Sequence, residues 1–246
     1  MQLKANVHMH TNDDPADLVS YSLFDAVDYA AAHDFEVLAI TCHHVVAWTE
    51  EYASYAAKRG IILLSGVELS IGEKMGDRGR HVLLLGITRE VEGITTFEQL
   101  ATYRRENPDV VVIAPHPFFF GNFSLHGLLE KYLVLFDAIE HSWFYSRMID
   151  RNKPAIALAK RYEVPLIATS DTHFLNGMED NYSMLTVTEK TPKAVLQAIQ
   201  NGAITMHTRP QRFFTGMLIP QSIFSTRTIL ARLLGKKNAR APHTSL

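Results

Sequence analysis

Histidines fall at the ends of successive predicted strands: His8 and His10, then His43, His81, His116 and His141, with Asp171 and His173 last. Imidazoles and carboxylates gathered at one end of a sheet lose hydration and repel one another unless a cation holds them together. The order therefore predicts a multinuclear metal site. His8 and His10 are two apart, so on a strand both rings point to one side and can chelate one ion. An H-x-H pair is weak alone and gains its weight from the later positions.

The elements that must position these residues alternate between β-rich runs and helical patterns. Strands are expected at 3–7, 36–41, 61–65, 81–86, 110–114, 136–140, 165–169 and 183–188. Helices are expected at 22–33 after Ser20 or Ser22, at 49–59 closed by Gly60, and at 153–162 with Pro154 in the first turn. This alternation argues for parallel pairing with right-handed crossovers, and about seven or eight units close a barrel. The fold class expected is α/β, a distorted (β/α)7-type, TIM-like barrel. A barrel places His8, His10, His43, Glu68, His116, His141, Asp171 and His173 at its C-terminal strand ends. His81 begins its strand, so that strand runs antiparallel or is entered by a bend.

The chain has 246 residues, 47% hydrophobic and 20% charged, enough for one large or two small cores. A net charge of −2 lacks the basic signature of a duplex binder. Cys42 is the one cysteine, so no intrachain disulfide forms and a cytoplasmic compartment is expected. From Gln211 onward Arg212, Arg227, Arg232, Lys236, Lys237 and Arg240 meet no acidic residue. Residues 209–246 are expected to form a basic amphipathic helix and tail beside a barrel over 1–208. The helix would dock on the barrel, pair with another subunit as a homo-oligomer, or touch an anionic surface.

The segments ITCH at 40–43, GVELS at 66–70, APHP at 114–117 and ATSDTH at 168–173 come in the order of the motifs of the polymerase and histidinol phosphatase (PHP) superfamily. The chain resembles that family over about residues 1–208, most closely at 152–174. The resemblance implies that His8, His10, Glu68 and Asp171 hold one ion, and that Glu68 bridges to a second held by His81 and His116. A third position would use His43 and His173. It implies two or three divalent ions, Mn, Fe or Zn. Two departures bear on the third ion: Cys42 stands where the family has Asp, and the acids after His10 are Asp13 and Asp14.

Such a site keeps a net positive field, which suits phosphate esters, and lowers the pKa of bound water from about 15.7 toward about 7. The expected function is metal-dependent hydrolysis of a small phosphorylated metabolite or nucleotide. Glu68 and Asp171 act in the centre, and His141 or a metal-bound water is the candidate to protonate the leaving group. Arg78, Arg80, Arg147 and Arg151 are the candidate phosphate-gripping residues, although a solvated charge is the commoner fate of each. Alternatives are a nuclease acting on single-stranded ends and a non-catalytic metal-binding regulatory unit. Amidohydrolase-type C–N cleavage fits the motif order poorly. Cys42 is read as a packed thiol, and His44 as facing away from His43.

Overall fold

A computed structural model describes residues 1–74 and 79–233. In chain order it contains β1 (Gln2–Asn6), α1 (Leu23–Ala32), β2 (Val37–Ile40), α2 (Glu50–Ala57), β3 (Ile62–Ile71) and β4 (Arg80–Leu85). Next come α3 (Phe97–Glu106), β5 (Val111–Ala114), α4 (Gly127–Lys131), β6 (Ala138–His141) and α5 (Asn152–Tyr162). The chain continues through β7 (Leu166–Ala168), β8 (Asn181–Thr186), α6 (Pro192–Gln200) and β9 (Ile204–Thr208). A π-helical segment, Phe213–Leu218, then leads into α7 (Ile219–Leu233).

The strands form one sheet in the order β7-β6-β5-β4-β3-β2-β1-β8-β9. Pairing is parallel within β1-β2-β3 and within β5-β6-β7. The β4 strand runs antiparallel to both neighbours, the first of the two arrangements expected for the strand that His81 begins. The β8 and β9 strands add antiparallel beyond β1. This is the expected α/β barrel, distorted by four antiparallel pairings.

Closure is made partly by side chains. The Ser183 hydroxyl on β8 accepts from the Ala168 N–H and donates to the Ala168 carbonyl, both at 2.9 Å. Past β7 the chain bonds to the end of β1: the Thr172 N–H donates to the His8 carbonyl at 3.2 Å, and the His10 N–H to the Thr172 carbonyl at 3.1 Å.

Alternating strand residues such as Leu3, Ala5, Val37, Ala39, Leu83, Val111, Ile113, Ala138 and Ile167 share one buried cluster with Val195 and Ile199 of α6. The Gln200 side chain of α6 donates to the carbonyls of Pro108 and Val110, so α6 sits by the N-terminal end of β5, away from the histidines. Local signals start the helices: Ser22 forms a capping box with Asp25, and Thr49 caps α2. No helix among the described residues is long and apolar enough to cross a membrane.

The C-terminal segment docks on the barrel. The Gln211 N–H donates to the Tyr145 carbonyl at 2.8 Å, and Met217 is fully buried. Lys236, Lys237 and Arg240 lie outside the described residues.

Candidate metal centre

The ligands expected from the sequence converge around Glu68, buried in the middle of β3, from the C-terminal ends of parallel strands and, for His81, from the start of the antiparallel β4. Its two oxygens face two different sets of imidazoles. Oε2 lies 3.4 Å from His8 Nε2, 3.4 Å from His10 Nε2 and 3.2 Å from His43 Nε2. Oε1 lies 2.7 Å from His81 Nδ1 and 3.0 Å from His116 Nε2. Asp171 Oδ1 completes the first set, 3.5 Å from His8 Nε2 and 3.2 Å from His10 Nε2.

Several of these contacts suit a cation better than a proton. His8 Nε2 and His10 Nε2 face each other at 3.3 Å. His81 Nδ1 is close to Glu68 yet lacks hydrogen-bond geometry and has no hydrogen-bond partner. Buried nitrogens and carboxylate oxygens that converge in this way match the mixed donor set of Mn, Fe or Zn.

Without metal, protons must do the balancing. Burial alone would lower His8, but the charges of Asp171, Glu68 and Glu140 outweigh it and carry its pKa up to about 10. His10 is raised in the same way, against burial, by Asp14, Asp171 and Glu68. Burial would raise Glu68, but His81, His8 and His43 hold it well below the usual carboxylate range.

Backbone geometry at the centre is strained. His116 has φ +28° and Asp171 φ +45°, in the left-handed region, at a cost of about 1–3 kcal/mol each. His116 also precedes a proline, which restricts it further.

Two carboxylates that the sequence reading did not place aim the rings. Glu140, fully buried on β6, sets Oε2 2.8 Å from His8 Nδ1, and its Oε1 accepts the His116 N–H at 3.2 Å. Asp14 sets Oδ2 2.8 Å from His10 Nδ1 and 2.9 Å from His43 Nδ1. Each of these three imidazoles therefore turns its Nε2 toward Glu68. The signal for Glu140 was alternation: Ala138 faces the interior, and Glu140 is two residues on. Asp13 takes the other direction and accepts from the Tyr52 hydroxyl at 3.0 Å.

His43 and His173 are not gathered about one point as a pair. His43 groups with His10 and Asp14 and with Glu68 and His81, whereas His173 groups with His10 and Asp171. They flank His10, their rings stacked on it at 4.6 and 4.5 Å. Asp17 lies between them, 3.2 Å from His173 Nε2 and 3.9 Å from His43 Nδ1.

His141 ends β6 but takes the opposite phase from Glu140. It packs edge-on against Tyr145 at 5.0 Å, is absent from the cavity wall, and has its pKa lowered by burial. Cys42 is a packed thiol 3.6 Å from Thr11 Oγ1, and burial pushes its pKa up to about 12. His44 departs from the reading that turned it away. At φ +57° it reaches the cavity rim and meets Ser70 Oγ at 3.3 Å.

A cavity of about 880 Å³ opens over the centre. None of the described candidate arginines lines it. Arg80 donates to the Asn122 carbonyl, Arg151 lies over the Phe120 ring at 4.2 Å, and Arg147 is exposed. Arg78 falls outside the described residues.

Sheet and cluster together define an α/β barrel whose mouth carries groups of imidazoles and carboxylates placed as a metal ion would need them. The family described as PHP-associated matches residues 150–204. Among solved structures, the chain is similar to a two-domain Bacteroides vulgatus protein containing a predicted PHP-like metal-dependent phosphoesterase. That match has 18% identity and TM-score 0.60, and covers 85% of this chain and 65% of the other. This chain thus spans somewhat less than two thirds of that protein.

It is also similar to PsfC from Pseudomonas syringae, at 13% identity and TM-score 0.58, covering 95% and 98%. A lesion-specific endonuclease from Pyrococcus furiosus matches at 16% identity and TM-score 0.62, covering 92% of this chain and 66% of the other. Comparison with curated proteins finds no match. The 150–204 segment thus matches a PHP-associated family, and the fold of the chain is similar to that of PHP-like structures.

Proposed function

We propose that this chain hydrolyses phosphate esters of small molecules using divalent ions held by the cluster. The observation that carries the reading is the division of Glu68, with Oε2 facing His8 and His10 and Oε1 facing His81 and His116. Under it His8, His10, Asp171 and one oxygen of Glu68 hold the first ion, and His81, His116 and the other oxygen the second. Ions in such a pair supply positive charge to a phosphate and lower the pKa of water.

The chain's own contribution is orientation. Glu140 fixes the His8 ring, and Asp14 fixes those of His10 and His43, in the carboxylate–histidine arrangement that sets tautomer and direction. Burial excludes bulk water from the polar contacts and strengthens them. His141, off the cavity wall, is given no proton-transfer role.

The test begins with metal analysis of the purified protein. Protein loaded with Mn, Fe or Zn is then screened against phosphate monoesters, diesters, mononucleotides and a short single-stranded oligonucleotide. Phosphate release from monoesters is expected, and Glu68→Ala should lose bound metal and turnover together. Full metal occupancy with no ester cleaved overturns the reading. Preferential release of nucleotides from the oligonucleotide would make the chain a nuclease instead.

A further inference from the structure

The cavity has two walls that the metal centre does not use. One is aromatic and begins on the proposed ligands: Phe123 lies 5.1 Å from the His81 ring and 5.5 Å from His116. Phe119 follows at 5.6 Å from Phe123, Phe144 stands edge-on to Phe119 at 4.7 Å, and Trp143 edge-on to Phe144 at 5.4 Å. All four of these aromatic residues line the cavity. The other wall comes from α7, whose Ile219 and Ile223 line the same space while staying 51% and 50% exposed.

Charge on the wall narrows the occupant. Among the described lining residues there is no lysine or arginine, and the acids are Asp17, Glu68, Asp171 and Asp180. Beyond the cations, then, no described lining residue offers a fixed positive charge to a second anionic group, and Asp180 already engages Arg209, a residue outside the lining, at 3.8 Å. The volume lies within the range of small-molecule pockets, roughly 300–1,000 Å³. Aromatic faces and isoleucines reward an apolar or aromatic group.

We propose that the substrate is the phosphate monoester of an alcohol bearing an aromatic or comparably bulky apolar group, with no second negative charge. The phosphate sits at the cations, and the alcohol moiety lies between the Phe119–Phe123 run and the Ile219–Ile223 face of α7. This deepens the phosphoesterase reading and rests on it for the position of the phosphate.

The test separates binding from turnover. Binding of 3-phenylpropylphosphonate and of propylphosphonate to Mn-loaded protein is measured by calorimetry, which needs no catalysis. The phenyl compound is expected to bind about tenfold more tightly or better, a difference of about 1.4 kcal/mol. It should also perturb Trp143 fluorescence, a signal absent from Trp143→Phe.

Phe119→Ser should narrow the ratio. The double variant Ile219→Ser/Ile223→Ser, at half-exposed positions, should narrow it as well and carries the test if Phe119→Ser fails to fold. Equal affinities of the phenyl compound and propylphosphonate overturn the pocket. Phosphate release from 3-phenylpropyl phosphate and propyl phosphate, whose leaving groups differ little in acidity, is followed in parallel. A tenfold binding ratio with neither ester cleaved leaves the pocket standing and overturns the phosphoesterase reading. Cleavage of both at equal kcat/KM overturns the pocket alone.

Discussion

At the level of single residues, the centre is organised by carboxylates that aim imidazoles. Glu140 holds His8 through Nδ1 and His116 through its backbone, so Glu140→Gln should lower metal affinity about 10–100-fold, with activity recovering at high metal. Metal titration of the two proteins checks this. In metal-free protein His8 has a pKa of about 10 against 6.5 unfolded. A raised pKa stabilises fully below pH 6.5, and the contribution is lost as pH rises toward 10. Denaturation of chelator-treated protein should therefore show falling stability between pH 6.5 and 10, and added Mn should flatten the fall. The convergence of His8, His10, Glu68, His116 and Asp171 was legible because each stands at a strand end or within a motif. Asp14 was named only together with Asp13 as an acid after the pair, and Glu140 not at all, because a single acid in an apolar strand carries no spacing signal of its own. The neighbouring His141 drew attention that strand alternation assigns to Glu140.

At the level of elements, the same physics explains what the sequence showed and what it hid. The α1 and α2 helices announce themselves by Ser22 and Thr49 ahead of apolar faces. The α3 helix has an equally good Thr96–Gln99 capping box but buries only Phe97 and Leu100, too thin a stripe for periodicity to reveal. The α6 helix begins at Thr191–Pro192, a start signal likewise passed over. The β9 strand is an edge strand with little burial, so its polar pattern reads as loop. Between β7 and β8 the Ser183 hydroxyl makes both hydrogen bonds to Ala168. Ser183→Ala leaves the Ala168 N–H and carbonyl without their partner, and the expected loss is about 1–3 kcal/mol in urea unfolding. An unchanged midpoint would show that the barrel does not rely on that bond.

At the level of the whole molecule, the centre draws on side chains from His8 to His173, and α7 supplies part of the cavity wall. No local piece of the chain can assemble it. Chelation should lower Tm, and amide exchange should rise first at His10 and Thr172, whose backbone bonds cross from β1 to the end of β7. Protection at those amides unaffected by chelation would uncouple the ions from closure. His8 and His10 lie on one side of this crossing, and Asp171 and His173 on the other. Under the proposed function, ions bound there would act as a clasp on a bracelet. Stripped of them, the sheet would tend to spring open and offer unpaired strand borders to its neighbours, so storage in chelating buffer is a direct route to aggregation.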